Sequence, residues 1–314
     1  MVKLLHHIQK QRIYKKHLTS WLQTHPTDVC VSLCGKEIEW LGKTQLSCKK
    51  IAELHFAIDY RDKWIQQTHH GLLWQTIGKF LTYSFIAQVK QMDELVVLTQ
   101  ADKEAWQQHN VTHVRNILNP CSIMPNQRGS HDKKQILAVG RLEPQKGFDW
   151  LIEAWGKTAG AYPEWTLKIC GEGSQRTVLE KQIEELGLTG RVEMNGVAEK
   201  LEEEYMQSRL FVLSSRYEGL PLALMEAMSC GLCCIAMDCK QGPRELIGNE
   251  ERGRLVDLGD VEGLARAMAE EMAQEEQAKE IPNCVAKAVV EQGMSPEELK
   301  QLVPLLDKLT GTLL

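Results

Sequence analysis

Six short apolar runs punctuate the second half of the chain: ILAVG (136–140), TLKIC (166–170), RVEMN (191–195), LFVLSS (210–215), LCCIAM (232–237) and RLVDL (254–258). Between them lie stretches with apolar residues three and four apart, such as FDWLIEAWGK and TVLEKQIEELG. Runs of strand length that are mostly apolar suit strands of a covered sheet, and the amphipathic segments supply the helical crossovers that parallel strands require. This alternation predicts an α/β, doubly wound domain with a mostly parallel sheet. After Gly259 the sequence turns largely helical and ends in SPEELKQLVPLLDKL, where Ser295 is placed to cap a helix and Pro296 to start it.

The first half repeats the alternation less cleanly. A helix over 6–24 precedes strands at DVCVSLCG (28–35) and KKIAELHF (49–56), then a long helical tract holding Trp64, Trp74 and Phe85, then strands ELVVLT (94–99) and VRNILN (114–119). Pro120 to Gln135 is polar and rich in turn residues, which reads as a linker. With 314 residues the chain can bury two cores, so two Rossmann-like domains are expected, one over 1–125 and one over 126–314. The first opens on a helix, whereas a doubly wound domain opens on a strand. A missing opening unit of roughly 40–60 residues, about one βαβ step, would account for that.

Composition excludes several classes. No stretch reaches the roughly 20 apolar residues of a membrane span, and the opening MVKLLHHIQKQRIYKKH lacks the apolar core of a signal peptide, so a cytoplasmic protein is expected. The ten cysteines are scattered, several inside apolar runs (Cys30, Cys170, Cys234), as suits reduced, packed thiols. Cys230, Cys233 and Cys234 bracket a turn, yet every histidine lies at or before His131, so no zinc-spaced partner follows and no metal is expected. Residues 1–134 carry 18 Lys+Arg against 11 Asp+Glu, a charge of +7, while the remainder carries -12. The basic helix around Lys10, Arg12, Lys15 and Lys16 suits solvent equally with peripheral contact to an anionic membrane or an anionic acceptor. No motif interleaving aromatic and basic residues points to nucleic acid.

Two constellations carry chemistry. Glu218-Gly-Leu-Pro-Leu-Ala-Leu-Met-Glu226 follows the run LFVLSS directly. Gly219 and Pro221 fit a tight turn and a helix start, which would aim the N–H groups of Leu220, Leu222 and Ala223 at the sheet's C-terminal edge, where an anion is favoured. Read as helix, the spacing puts Glu226 about two turns beyond Glu218 on the same side. Two carboxylates beside an anion suit hydroxyls, one set on a ribose and one on a sugar. The second constellation is Gly140-Arg141-Leu-Glu-Pro-Gln-Lys146-Gly147 at the end of ILAVG, where a strand enters a loop with two cations and then a helix. That arrangement suits a phosphate at the carboxyl edge of a parallel sheet.

Taken in order, Gly140-Arg141…Lys146-Gly147, Gly171-Glu172-Gly173, Asn195-Gly196-Val197 and Glu218…Glu226 resemble the signature of family-4 glycosyltransferases. SSRYEGLPLALMEAMSCGL is similar to members that build bacterial capsules and other surface polysaccharides. The resemblance covers about Asp93 to Asp260 well and reaches back weakly to Lys49. It implies a GT-B fold, two Rossmann-like domains facing a cleft with the first shortened, and retaining transfer of a hexosyl group from a UDP-sugar to a glycan or lipid-linked acceptor. Arg141 and Lys146 would grip the diphosphate, Glu226 the ribose and Glu218 the donor sugar. Main-chain groups around Gly219, Leu220 and Pro221 would assist, and Val197 would lie along the base. His55, in Glu53-x-His55, resembles the family's acidic-x-His sequence and would touch the donor sugar. The resemblance implies a metal-independent enzyme without a cofactor, and no Asp-x-Asp sequence is present.

Family members also open with a strand and a glycine-rich loop near the donor phosphate that nothing here matches. A UDP-sugar-binding but inactive truncated protein, acting as a binding or regulatory subunit, is therefore the alternative. A sugar-nucleotide epimerase of the same fold would need further acidic residues, and a nicotinamide-dependent oxidoreductase a third glycine after Gly173.

Overall fold

The computed structural model describes residues 2–68, 71–123, 125, 129–239, 241–248 and 253–274. The helix expected at Ser295 and Pro296 lies outside them, as does the side chain of Trp64. The chain forms two compact units: Met1–Asn119 with Tyr217–Leu220 and Lys240–Glu245, and Pro120–Arg216 with Pro221–Cys239 and Leu246–Leu314.

The second unit holds strands β5 (Lys133–Val139), β6 (Thr166–Cys170), β7 (Val192–Glu193), β8 (Ser208–Leu213), β9 (Cys233–Asp238) and β10 (Arg254–Asp257). They form one six-stranded sheet in the order β10-β9-β8-β5-β6-β7, parallel throughout. The helices are α6 (Phe148–Thr158), α7 (Arg176–Glu185), α8 (Leu201–Gln207), α9 (Leu222–Ser229) and α11 (Val261–Ala273). Because side chains alternate along a strand, Ile136, Ala138, Leu167, Ile169, Leu210, Val212, Ile235 and Met237 share one face. They pack with Leu151, Ile152 and Trp155 of α6 and Leu264 and Met268 of α11 in one buried cluster. Leu137, Phe211, Leu213, Cys234 and Ala236, on the other face, are buried as well. Both faces of the four central strands are thus dry, as the apolar runs predict, while the edge strands β7 and β10 stay partly exposed. Each such large side chain contributes about 1.5–3 kcal/mol by leaving water.

One strand begins earlier than its apolar run. β5 starts at Lys133, inside the stretch that reads as linker, because Gln135 is buried and donates from Nε2 to Ser208 Oγ at 2.8 Å. A satisfied polar side chain sits in a strand without breaking it.

The first unit contains β1 (Val29–Ser32), β2 (Lys49–Leu54), β3 (Glu94–Val97) and β4 (Val114–Asn116) in sequential order, all parallel. Its helices are α1 (Val2–Thr24), α2 (Ile38–Leu41), α3 (Tyr60–Thr68), α4 (Leu72–Val89) and α5 (Gln100–Gln108). The long helical tract expected in this half is therefore two helices, parted at Gly71, whose φ is 110°. Ala52, Leu54, Leu95, Val97 and Val114 form one buried face of the sheet under Ile38, Leu41, Phe85, Val89 and Trp106. Thr99 caps α5, its Oγ accepting from Asp102 N at 3.0 Å and donating to Asp102 Oδ2 at 2.7 Å. The other face is wetter. Val29 and Val31 are 44% and 52% exposed, and the Arg115–Glu94 ion pair stands on it. α10 (Pro243–Ile247) follows β9 and straddles the division between the units.

Candidate functional site

Within the second unit, the loops leaving β5, β6, β7 and β8 meet at the carboxyl edge of the sheet. Main-chain hydrogen bonds sew them together: Gly140 N donates to Cys170 O (3.0 Å), Leu142 N to Glu172 O (2.9 Å), Gln175 N to Leu142 O (2.9 Å) and Gly171 N to Gly196 O (2.8 Å). This contact needs glycine. A Cβ on Gly171 would stand 1.8 Å from Gly140 O, and one on Gly173 2.4 Å from Leu142 O. Glu143 accepts from Ser174 N at 3.0 Å and Ser174 Oγ at 2.7 Å, and these bonds hold its carboxyl below the usual range. The Gly171-Glu172-Gly173 sequence thus acts as a backbone buttress under the Gly140 loop.

That loop carries the two expected cations. Arg141 is exposed just past β5. Lys146 ends a 3-10 turn over Pro144–Lys146, and its stem folds back so that Cγ, Cδ and Cε lie 3.2–3.3 Å from where a Gly140 Cβ would stand. The turn stops at Gly147, whose φ of 62° is left-handed and whose added Cβ would strike Ser214 O at 2.2 Å. Ser214 Oγ, just beyond β8, donates to Lys146 O at 2.9 Å. Lys146 is thereby held against Gly140, in the loop that Arg141 opens, by the contacts this loop makes with the ends of the neighbouring strands β6 and β8.

Sequence reasoning missed the strut beneath this loop. Arg216 donates to both carboxylate oxygens of Asp149 at 2.8 and 2.6 Å, and to Pro144 O at 2.7 Å. Its guanidinium also lies 3.9 Å from the centroid of the Trp150 ring. Such fork-to-fork pairing fixes geometry as well as charge. An arginine three residues past a strand, facing the loop after β5, was the available signal.

The acidic pair is arranged differently from its spacing. α9 begins at Leu222 with Pro221 as N-cap, and its first internal bonds run from Leu224 and Met225 to Pro221 O. Helix geometry leaves the N–H groups of Leu222 and Ala223 without an intrahelical acceptor, as at the start of any helix. Glu218 stands four residues before the helix, so helical spacing does not relate it to Glu226. Proline at the cap confines the regular helix to the residues after it. Glu218, Gly219 and Leu220 are buried and group with the first unit, where a Cβ on Gly219 would lie 2.2 Å from His55 O. His55 itself follows β2 and shares a 2.8 Å hydrogen bond between Nε2 and Glu53 Oε1.

Glu226, one turn into α9 and half-buried, is held on both oxygens. Tyr205 OH donates to Oε2 at 2.9 Å, and Ser122 Oγ donates to Oε1. Tyr205 is fully buried, its ring 5.9 Å from that of Phe211. Burial, and then the nearby Glu226 charge, push its phenol above the ordinary range, so it stays protonated and donates. Val197, after Gly196 with a φ of 86°, is 72% exposed at the same sheet edge.

Burial raises the thiols of Cys34 and Cys230 to about 12 and that of Cys170 to about 11, the signature of packed, unreactive cysteine. Among the described residues, no three His, Cys, Asp or Glu side chains group as metal ligands, and no helix is long and apolar enough to cross a membrane.

A parallel six-stranded sheet with a glycine-buttressed cationic loop at its carboxyl edge, in a chain that also holds a second parallel α/β unit, is the GT-B fold. It is shared with S. aureus TarM, a mutant of which was solved with fondaparinux, alpha-GlcNAc-glycerol and UDP. TarM matches at a TM-score of 0.72 and 20% identity over 88% of this chain and 55% of its own. The family described as glycosyl transferases group 1 matches residues 122–286, more than half of the chain, and the chain belongs to it. An uncharacterized glycosyltransferase of Haemophilus influenzae is 33% identical over 230 residues, 73% of this chain and 61% of that protein. The amylovoran biosynthesis glycosyltransferase AmsD of Erwinia amylovora is 36% identical over 174 residues, 52% of this chain and 48% of its own. The chain thus spans less than two thirds of either relative.

Proposed function

We propose that the chain is a retaining glycosyltransferase of the family-4 type that transfers a hexosyl group from a UDP-sugar to a hydroxyl of a glycan or lipid-linked acceptor, in surface polysaccharide synthesis. The supporting observation is the second unit's sheet edge, where Arg141, Lys146, the start of α9 and Glu226 hang from strands that are direct neighbours. Arg141 and Lys146 grip the diphosphate and offset the charge that grows on it as the glycosidic C–O bond breaks. The amides of Leu222 and Ala223 add fixed dipoles. Glu226 binds the ribose, and Val197 lies along the base. Glu218, Gly219, Leu220 and Pro221 contact the donor sugar, and His55 is assigned to it by its acidic-x-His context. With cations and a helix terminus meeting the phosphates, the reaction needs no metal and no cofactor. The departing phosphate takes the acceptor's proton as the new bond forms on the same face. UDP in the TarM crystal supports the donor class, and the name of AmsD supports the pathway class.

The test is calorimetric titration with UDP and assay of UDP release from UDP-sugars with mixed glycan acceptors. Arg141→Ala and Lys146→Ala are each expected to weaken UDP about 10–100-fold, the worth of a charged hydrogen bond. Undiminished affinity after replacing both together with Glu226 rejects the proposal. The half-wet sheet of the first unit favours a second reading, a UDP-sugar-binding protein without turnover; UDP binding without release supports it. Peripheral contact of the basic first half with anionic lipid is part of the proposal, and salt-insensitive vesicle binding contradicts it.

A further inference from the structure

The proposed ribose contact rests on one carboxylate, and what surrounds that carboxylate is not symmetric. Oε2 of Glu226 points to the interior, where the wholly buried Tyr205 donates to it at 2.9 Å. Oε1 points outward, where the exposed Ser122 donates to it. The two partners arrive on different supports. Tyr205 comes from α8 and is wedged against Phe211 of β8, part of the sheet itself. Ser122 belongs to the first residues of the second unit, a segment tied down by Ser229 Oγ donating to Ile123 O at 2.6 Å. A side chain on a rigid support fixes a rotamer, whereas a surface hydroxyl is exchangeable with water or with another hydroxyl of the same donor chemistry.

We infer that Tyr205 is a positioning residue for nucleotide recognition, fixing the inner oxygen of Glu226 so that the outer oxygen is aimed at the ribose hydroxyls, with Ser122 an exchangeable partner that a ribose hydroxyl displaces. This rests on the proposed role of Glu226. Its distinct content is the opposite sign of the two partners. Removing the phenol hydroxyl frees the carboxylate to rotate about its terminal torsions, and an oxygen no longer aimed discriminates poorly between a ligand with ribose hydroxyls and one without. Removing the serine hydroxyl takes away a competitor and leaves the aim intact.

The experiment compares affinity for UDP with that for 2′,3′-dideoxy-UDP, which carries the same base and diphosphate. Wild type is expected to prefer UDP; absence of UDP binding sinks the functional proposal, and binding without preference sinks the role of Glu226. Given a preference, Tyr205→Phe, which keeps volume and ring, is expected to reduce it by about fivefold to tenfold while leaving affinity for the dideoxy ligand within about twofold. Ser122→Ala is expected to keep or raise the preference. In a Glu226→Gln background Tyr205→Phe should have little further effect, because the two act as one unit. A preference in Tyr205→Phe within about twofold of wild type overturns the inference, as does equal loss for both ligands or a fall with Ser122→Ala. Should Tyr205→Phe fail to fold, 4-fluorophenylalanine at 205 fills nearly the volume of tyrosine while removing its hydroxyl donor, and a preference within about twofold of wild type then overturns the inference.

Discussion

The two units solve the same packing problem to different degrees. In the second, the four central strands of a six-stranded parallel sheet are buried on both faces, and the loops are pressed together until a glycine is required at 171, beside the Gly140 carbonyl. In the first, four parallel strands bury one face while Val29 and Val31 stand about half exposed on the other. Parallel sheets are normally covered on both sides. The precision of loops at a sheet edge is inherited from the sheet below them: the well-covered unit is the one whose loops are locked by backbone contact.

The largest expected effect tests that link. Gly171→Val forces a side chain into Gly140 O and should cost about 3–5 kcal/mol by overpacking and strain, together with UDP binding. Urea denaturation beside titration checks it, and a stable variant with unchanged affinity would separate loop locking from function. Next is the Arg216 strut. Arg216→Lys keeps charge but loses the two-pronged bond to Asp149, and is expected to cost about 1–3 kcal/mol and to weaken UDP without touching it. Rescue of affinity by lysine would break the positioning argument.

In the first unit, Asp102 provides a pH test. Burial raises its carboxyl to about 6, with Glu245 and Asp59 adding to the rise and the Thr99 hydroxyl and Lys63 opposing it. The folded state therefore binds the proton more tightly than the unfolded one. Stability from this group is fullest below about pH 4 and is lost as pH rises through about 6, by about 3 kcal/mol. Asp102→Asn should flatten that part of the stability curve, read by thermal melts from pH 4 to 7; an unchanged slope contradicts it. The smallest effect belongs to the exposed face. Val31→Thr should change stability by no more than about 0.5 kcal/mol, whereas the same change at buried Ile169 should cost several times more. Equal costs would show that the first sheet is covered after all.

Much of this was legible in the residues. TLKIC is β6 from end to end, and RLVDL, LFVLSS and LCCIAM mark β10, β8 and β9 to within two residues, because continuous apolar runs report burial on both faces. Turn chemistry likewise located Gly147 and Pro221 at helix starts. Polar residues hid the rest: Lys133 to Gln135 read as linker although they begin β5, and Glu218 read as helix although α9, with Pro221 as its cap, begins only at Leu222.

What the sequence determined alone is periodic and local: a parallel α/β architecture, its main crossovers, and the cationic loop after β5. The tertiary structure decided which loops touch. Strand order β8-β5-β6 sets Arg216 against Asp149 and Gly171 against Gly140, and the packing of α8 on β8 sets Tyr205 against Glu226. No spacing rule encodes those meetings, because side-chain periodicity reports which face is buried, while the partner across a sheet edge depends on how strands far apart in the chain are ordered.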